Sequence, residues 1–241
     1  MIGSEGVAAK NVQAAPVFPD NGQPTPPRQW SRREIAIMPV LPDFKVAADE
    51  GSLFTGTNAA FGTGVLGPSA AAFSATSAIL SLANKASSLS AQRTFLAYLR
   101  LILTAAPTSG TRFDVAVTTD TIVRGSAGTT IALANAAMVM PITVALYNPT
   151  VAAASGAVVN QARATVKVAA PVVGDEYLFV FGAVEMAGAL VPSAAIAARH
   201  VVPMPPVVIG PGAATSALIH LWSVTSSTAP SFEFELGLIE R

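Results

Sequence analysis

Near the C-terminal end of the sequence, Phe232, Phe234, Leu236 and Leu238 alternate with Glu233, Glu235 and Gly237. A period of two places the first set on one face of a β-strand and the second on the other. Phe113, Val115 and Val117 alternate in the same way with Asp114, Ala116 and Thr118. So do Arg163, Thr165 and Lys167 with Ala164, Val166 and Val168. Residues 94–105 are apolar on both sides. Phe95, Ala97, Leu99, Leu101 and Leu103 make one face, and Leu96, Tyr98 and Ile102 sit on the other. We read this segment as a strand buried on both faces, with a helix as the alternative. Further strand-length apolar runs occupy 78–84, 130–133, 140–147, 177–185, 195–202, 207–209 and 217–224. Gly, Pro, Asn and Asp turns separate them, at 107–110, 125–128, 148–149, 174–175, 210–212 and 226–230. Many short strands with regular turn signals predict an all-β sandwich or barrel. Ala-dense stretches at 69–77 and 187–197, and residues 87–92, leave room for helices.

The first 50 residues have a different character. Pro16, Pro19, Pro24, Pro26, Pro27, Pro39 and Pro42 lie here. Proline lacks an amide donor and fixes φ, which excludes a regular helix or a central strand. The expected organisation is an extended Pro-rich N-terminal arm over 1–50 and a β-sandwich domain over 51–241. Within 51–68, a Gly- and Thr-rich loop or short edge strand is expected. Phe18, Arg28, Trp30, Arg32, Arg33 and Phe44 are the arm's candidate contact residues, because Trp and Arg concentrate at interface hot spots. A solvated basic knot beside Glu34 is the alternative.

Composition narrows the functional classes. The chain of 241 residues carries 14 Lys+Arg and 14 Asp+Glu, so its formal net charge is zero. Charged residues make up 12%, against about 25% in typical domains. The absence of Cys excludes disulfides, thiolate zinc sites and Cys nucleophiles. A neutral chain lacks the basic footprint of nucleic-acid packaging, so no nucleic-acid partner is expected. Residues 1–13 hold no apolar run of signal-peptide type. The longest apolar stretches are broken by Arg100 and Pro192, so no membrane span is expected. Scarce charge with zero net charge favours association and points to a subunit covered by neighbours. An Ala-rich genome composition would give the same numbers. The charge is also segregated: residues 51–112 hold four bases and no acid, and residues 113–241 hold five bases and eight acids. Complementary segments of this kind can dock within or between subunits.

Chemical motifs are weak. Residues 62–67 fit G-x-G-x-x-G, but no acid follows before Asp114, as a dinucleotide site would need. His200 and His220 are the only histidines and read as structural. Glu233 and Glu235 share a strand face at about 7 Å, a separation compatible with a glycosidase pair. An exposed strand face bearing Glu is the commoner reason for such a pair. Asp114 and Asp120 hint at calcium but lack its spaced ligand loop. No catalytic residue, cofactor or metal site is expected.

Residues 50–58 lead to Gly62-Thr-Gly64, then to Tyr98–Leu101, 104–111, 207–212, Leu221-Trp222 and 232–237. Together these strand and turn phrases resemble jelly-roll structural proteins of tailed-bacteriophage virions, above all capsid decoration (cement) proteins. The resemblance spans about 50–241. It implies a jelly-roll-like β-sandwich, homotrimers, and an arm lying on the shell. The expected partners are the major capsid protein and neighbouring copies of the chain. The expected location is the virion, assembled in the host cytoplasm, and no enzymatic activity is implied. The alternative is a receptor-binding module of a tail or head fibre, holding host glycan or protein with loops 119–128 or 152–160.

Overall fold

Fourteen strands form among the described residues of the computed structural model, which are 47–241 apart from 59, 69–70, 87–90, 108–110, 169–170, 183–198, 212–213 and 224–229. In chain order they are β1 (Leu53–Thr57), β2 (Leu80–Asn84), β3 (Thr94–Ala105), β4 (Thr111–Asp120), β5 (Gly125–Ser126), β6 (Thr129–Ile131) and β7 (Thr143–Tyr147). Then follow β8 (Thr150–Val151), β9 (Val159–Val168), β10 (Glu176–Phe181), β11 (Arg199–Met204), β12 (Val207–Ile209), β13 (Ser216–Ser223) and β14 (Ser231–Glu240).

One sheet runs β1-β14-β3-β10-β11, with β12 beside the start of β3. The other runs β6-β7-β2-β13-β4-β9. Eight strands make the frame: β1-β14-β3-β10 in one sheet and β2-β13-β4-β9 in the other. Numbered among themselves, they read 1-8-3-6 and 2-7-4-5, which is the double Greek key of a jelly roll. All pairings within this frame are antiparallel. β11 adds in parallel to β10. β5 and β8 form a separate ribbon. The all-β jelly-roll expectation therefore holds.

The period-two pattern explains the core. Phe232, Phe234, Leu236 and Leu238 of β14 are buried, and Glu233 and Glu235 face outward. They meet Phe54, Leu99, Leu101, Leu103, Tyr177 and Phe179 from their own sheet, and Leu80, Leu82, Val115, Val117, Ile219 and Leu221 from the opposite one. Each such side chain contributes about 1.5–3 kcal/mol by leaving water. The Tyr177 and Phe232 rings pack edge to face at 6.0 Å.

β3 has the bounds the pattern predicts, but its parity changes. Tyr98 pairs with Gly237 and Leu96 with Leu238, so Ala97 is an extra residue in the ladder. A bulge of this kind flips alternation. Leu96 turns inward ahead of the bulge, and Phe95, expected on the inner face, is instead 37% exposed. The run at 140–147 becomes a strand only from Thr143. Pro141 has no amide, and the amides of Ile142 and Thr143 donate to the inward-turned Glu240 carboxylate at 2.9 and 2.8 Å. The run at 177–185 ends as a strand at Phe181, and that at 195–202 lies later, at Arg199–Met204. At 69–77, where a helix was possible, the described residues 71–77 form bends and a turn instead. There the Ser74 hydroxyl accepts the Thr76 amide, a local alternative to helical bonding. Ala91 and Gln92 are not helical either, and 187–197 lies outside the described residues.

Candidate interaction surface

Between β4 and β9 the chain builds an insert of four short strands, β5 to β8. From Gly125 to Ala162 it contains no Asp, Glu, Lys or Arg. β6 pairs with β7, and β7 with β2, so the insert extends the second sheet at one edge. The 132–142 loop between β6 and β7 is tied down. Thr55 and Ala134 exchange two backbone hydrogen bonds of 2.9 Å. The Asn135 amide donates to the Gly51 carbonyl at 2.6 Å, and its oxygen accepts the Val139 amide at 2.9 Å. Gly51 has φ +70°, and a Cβ there would lie 2.6 Å from that of Ala137. Glycine lets the loop sit this close.

The apex of this fixed loop is apolar and wet. Met138 is 88% exposed, Met140 83% and Val139 53%. Below it lies a groove of about 460 Å³, lined by Leu133, Ala134, Pro141 and Val144 with these side chains. Methionine adapts to irregular surfaces and is over-used where partners dock. Exposed apolar side chains grouped without charge make this a candidate interaction surface.

The root of the insert is clamped by a buried ion pair. The Arg124 side chain is 1% exposed and lies 3.8 Å from the Asp120 carboxylate, itself 2% exposed. The guanidinium also donates to the carbonyls of Ala75 at 2.8 Å and Ala152 at 3.1 and 3.2 Å. Burial works to raise the pKa of Asp120. Hydrogen bonds from the Ser155 hydroxyl and amide and from the Ile122 and Thr121 amides outweigh it and hold the carboxyl below its usual range. Three loops are thereby joined at one point.

Charged groups also pair on the outward face of the first sheet. Across β10, β3 and β14, Arg100 reaches Glu176 at 2.6 Å and Glu235 at 3.1 Å. The Tyr98 hydroxyl donates to Glu235. Burial, then this bond, raises the Tyr98 pKa. The Tyr98 ring lies over Gly237, where a Cβ would collide with it. The Glu233/Glu235 pair is thus divided. Glu235 belongs to the Arg100 network, and Glu233 accepts the Gly62 amide at 2.6 Å. That bond also occupies a donor of the Gly-rich loop, which no helix follows among the described residues up to β2.

His220 is 1% exposed, with Nδ1 3.1 Å from the Ser77 carbonyl and Nε2 3.0 Å from the Thr118 hydroxyl. Burial, helped by the Arg124 charge, holds its pKa below the ordinary value. The neutral ring then donates from Nδ1 and accepts at Nε2. This is a structural histidine. His200 stacks on Tyr177 at 5.0 Å, but its Nε2 is buried without a hydrogen-bond partner. Asp114 accepts the Thr165 hydroxyl and lies 4.0 Å from Arg163. Among the described residues no group of three or more His, Asp or Glu could hold a metal ion, and no helix is long and apolar enough to cross a membrane.

Phe18, Arg28, Trp30, Arg32, Arg33 and Phe44 lie outside the described residues. Loops 119–128 and 152–160 meet at the Asp120–Arg124 clamp, through Ser155 and Ala152. The Met138–Met140 apex was missed in the sequence because 140–147 reads as one strand. The uncharged run around it was the available signal. No family model matches the chain, and no curated protein or solved structure shows significant similarity to it.

Proposed function

We propose that this chain is a non-enzymatic structural subunit of a tailed-phage virion, a decoration or cement protein that docks on the head shell and on neighbouring copies. The observation that carries this reading is the exposed Met138–Met140 apex, on an uncharged insert whose loop is hydrogen-bonded to Gly51 and Thr55. A free surface of this chemistry leaves large apolar side chains in water, and covering it contributes about 25 cal/mol per Å² before ordering costs. The jelly-roll frame and the resemblance to virion proteins support the same reading. Repeated over a shell, such contacts would resist internal pressure.

The test is binding of the full chain to particles lacking it, read by cryo-electron microscopy. Hundreds of copies on the head, with the apex at a seam, are expected. A few copies at a tail or fibre would replace decoration with receptor binding. Full head occupancy by a Met138→Asp/Met140→Asp variant would remove the apex from the contact.

A further inference from the structure

A second concavity, of about 660 Å³, opens on the outward face of β13, β4 and β9. Its volume lies within the range of about 300–1,000 Å³ typical of small-molecule sites. Ala116 of β4 makes the space. It pairs with His220 on one side and Arg163 on the other, and its methyl leaves the sheet low between them. Phe73, from the β1–β2 connection, stands at one side and is 45% exposed. Its ring is wedged edge-on against His220 at 5.1 Å and Trp222 at 5.4 Å. The platform is therefore fixed before any ligand arrives, which lowers the ordering cost of binding. Trp222, 6% exposed, forms the base beneath it.

The opposite rim is polar. Asn160, Gln161 and Arg163 of β9 line it. The Gln161 amide nitrogen donates to Thr119 at 3.2 Å, which orients its oxygen. The Arg163 guanidinium lies 5.7 Å from the Trp222 ring centroid and is 66% exposed at its side chain. Two amides offer donors and acceptors, and the guanidinium offers donors only. Hydroxyl groups need both kinds. An aromatic face carries negative quadrupole charge that attracts the polarised C–H bonds of a ring lying on it. A ligand with one C–H face and a hydroxyl edge fits this pairing. A polyanion does not, because the fully buried Asp114 carboxylate lies 4.0 Å from the cleft's single cation.

We infer that this cleft binds a neutral saccharide of one or two rings, stacked on Phe73 and hydrogen-bonded by Asn160, Gln161 and Arg163. The site does not rest on the docking reading, because binding is measured on the free chain. The full-length protein is applied to an array of neutral and acidic glycans, and the best neutral ligand is titrated by calorimetry and saturation-transfer NMR. Phe73→Ala and Arg163→Ala should each weaken binding by about tenfold or more. Asn160→Ala, on the exposed rim, should weaken it by a smaller factor. Phe61→Ala removes an aromatic ring that is 80% exposed and lies outside the cleft, and should change nothing. Circular dichroism melts establish that each variant is folded. The inference is overturned by no neutral-glycan binding at millimolar concentration, by binding confined to acidic glycans, or by folded Phe73 and Arg163 variants that bind like the parent.

Discussion

On the outward face of β3, β10 and β14, Arg100 sits between Glu176 and Glu235 and Tyr98 closes the group. At the edge of the other sheet, the β5–β8 insert shows water Met138, Val139 and Met140 with no charge in its sequence. Both surfaces belong to one sandwich and grow from the same alternating strands. The first pairs its charges within the chain. The second leaves apolar area uncovered while its backbone is tied to Thr55 and Gly51. Rigidity without self-coverage is what a docking surface requires, because little ordering entropy is lost when a partner arrives. The contrast is also one of charge: Arg100, Glu176 and Glu235 pair on the first surface, and the exposed insert has no charge to pair.

The contrast breaks most severely at the root of the insert. Arg124→Ala should cost about 3–5 kcal/mol in urea denaturation, because it strands the buried Asp120 carboxylate and the Ala75 and Ala152 carbonyls. A loss below about 1 kcal/mol would show that solvent reaches the clamp. On the charge-paired face, Gly237→Val pushes against the Tyr98 ring and should cost about 1–3 kcal/mol. Wild-type stability in this variant would mean that the ring swings aside freely.

Acid should weaken the fold through His220 before it reaches the carboxylates. The folded pKa is depressed, so the unfolded chain binds the proton more readily, and stability rises with pH. This contribution is complete above the unfolded value of about 6.5 and is lost as pH falls below it, by at most about 1.4 kcal/mol per pH unit. His220→Gln should flatten melting temperature against pH in that window. Asp120, also depressed, adds a second loss below about pH 4. If the variant keeps the parent's slope between pH 7 and 5, the loss has another source.

Arg100→Met should cost about 1 kcal/mol or less, since its ion pairs are 20–30% exposed and screened by solvent. The smallest stability effect belongs to Met138→Asp/Met140→Asp, within about 0.5 kcal/mol, because these side chains pack against little. Their effect should fall on association instead. Light scattering of concentrated protein and particle binding should both drop, and unchanged association would erase the distinction between the two surfaces.

Much of the frame was legible in the chain. The alternation around Phe232 and Phe234 marked β14 and its inner face, and 94–105 marked β3 to the residue. Gly and Pro punctuation placed most strand ends. The Ala97 bulge was not legible, because it is a mismatch between β3 and β14 that neither segment contains alone. Nor was the inward turn of Glu240, which depends on two unpaired amides at the start of β7. The cleft escaped notice for a similar reason. Phe73, Ala116, Trp222 and Arg163 are far apart in sequence and become neighbours only when β13, β4 and β9 are aligned.

The sequence by itself determined most strands of the frame and the two faces of those that alternate regularly, since period two is a local property of the backbone. It also determined where charge is absent. Only the tertiary structure decided that Arg124 goes inside and Met138 stays outside, against the ordinary preference of both residue types. The carbonyls that satisfy Arg124 come from positions 49 and 28 residues away, and burial of a charge is settled by such distant partners. Met138 lies at the apex of a loop whose ties to Gly51 and Thr55 place it beyond the reach of the core.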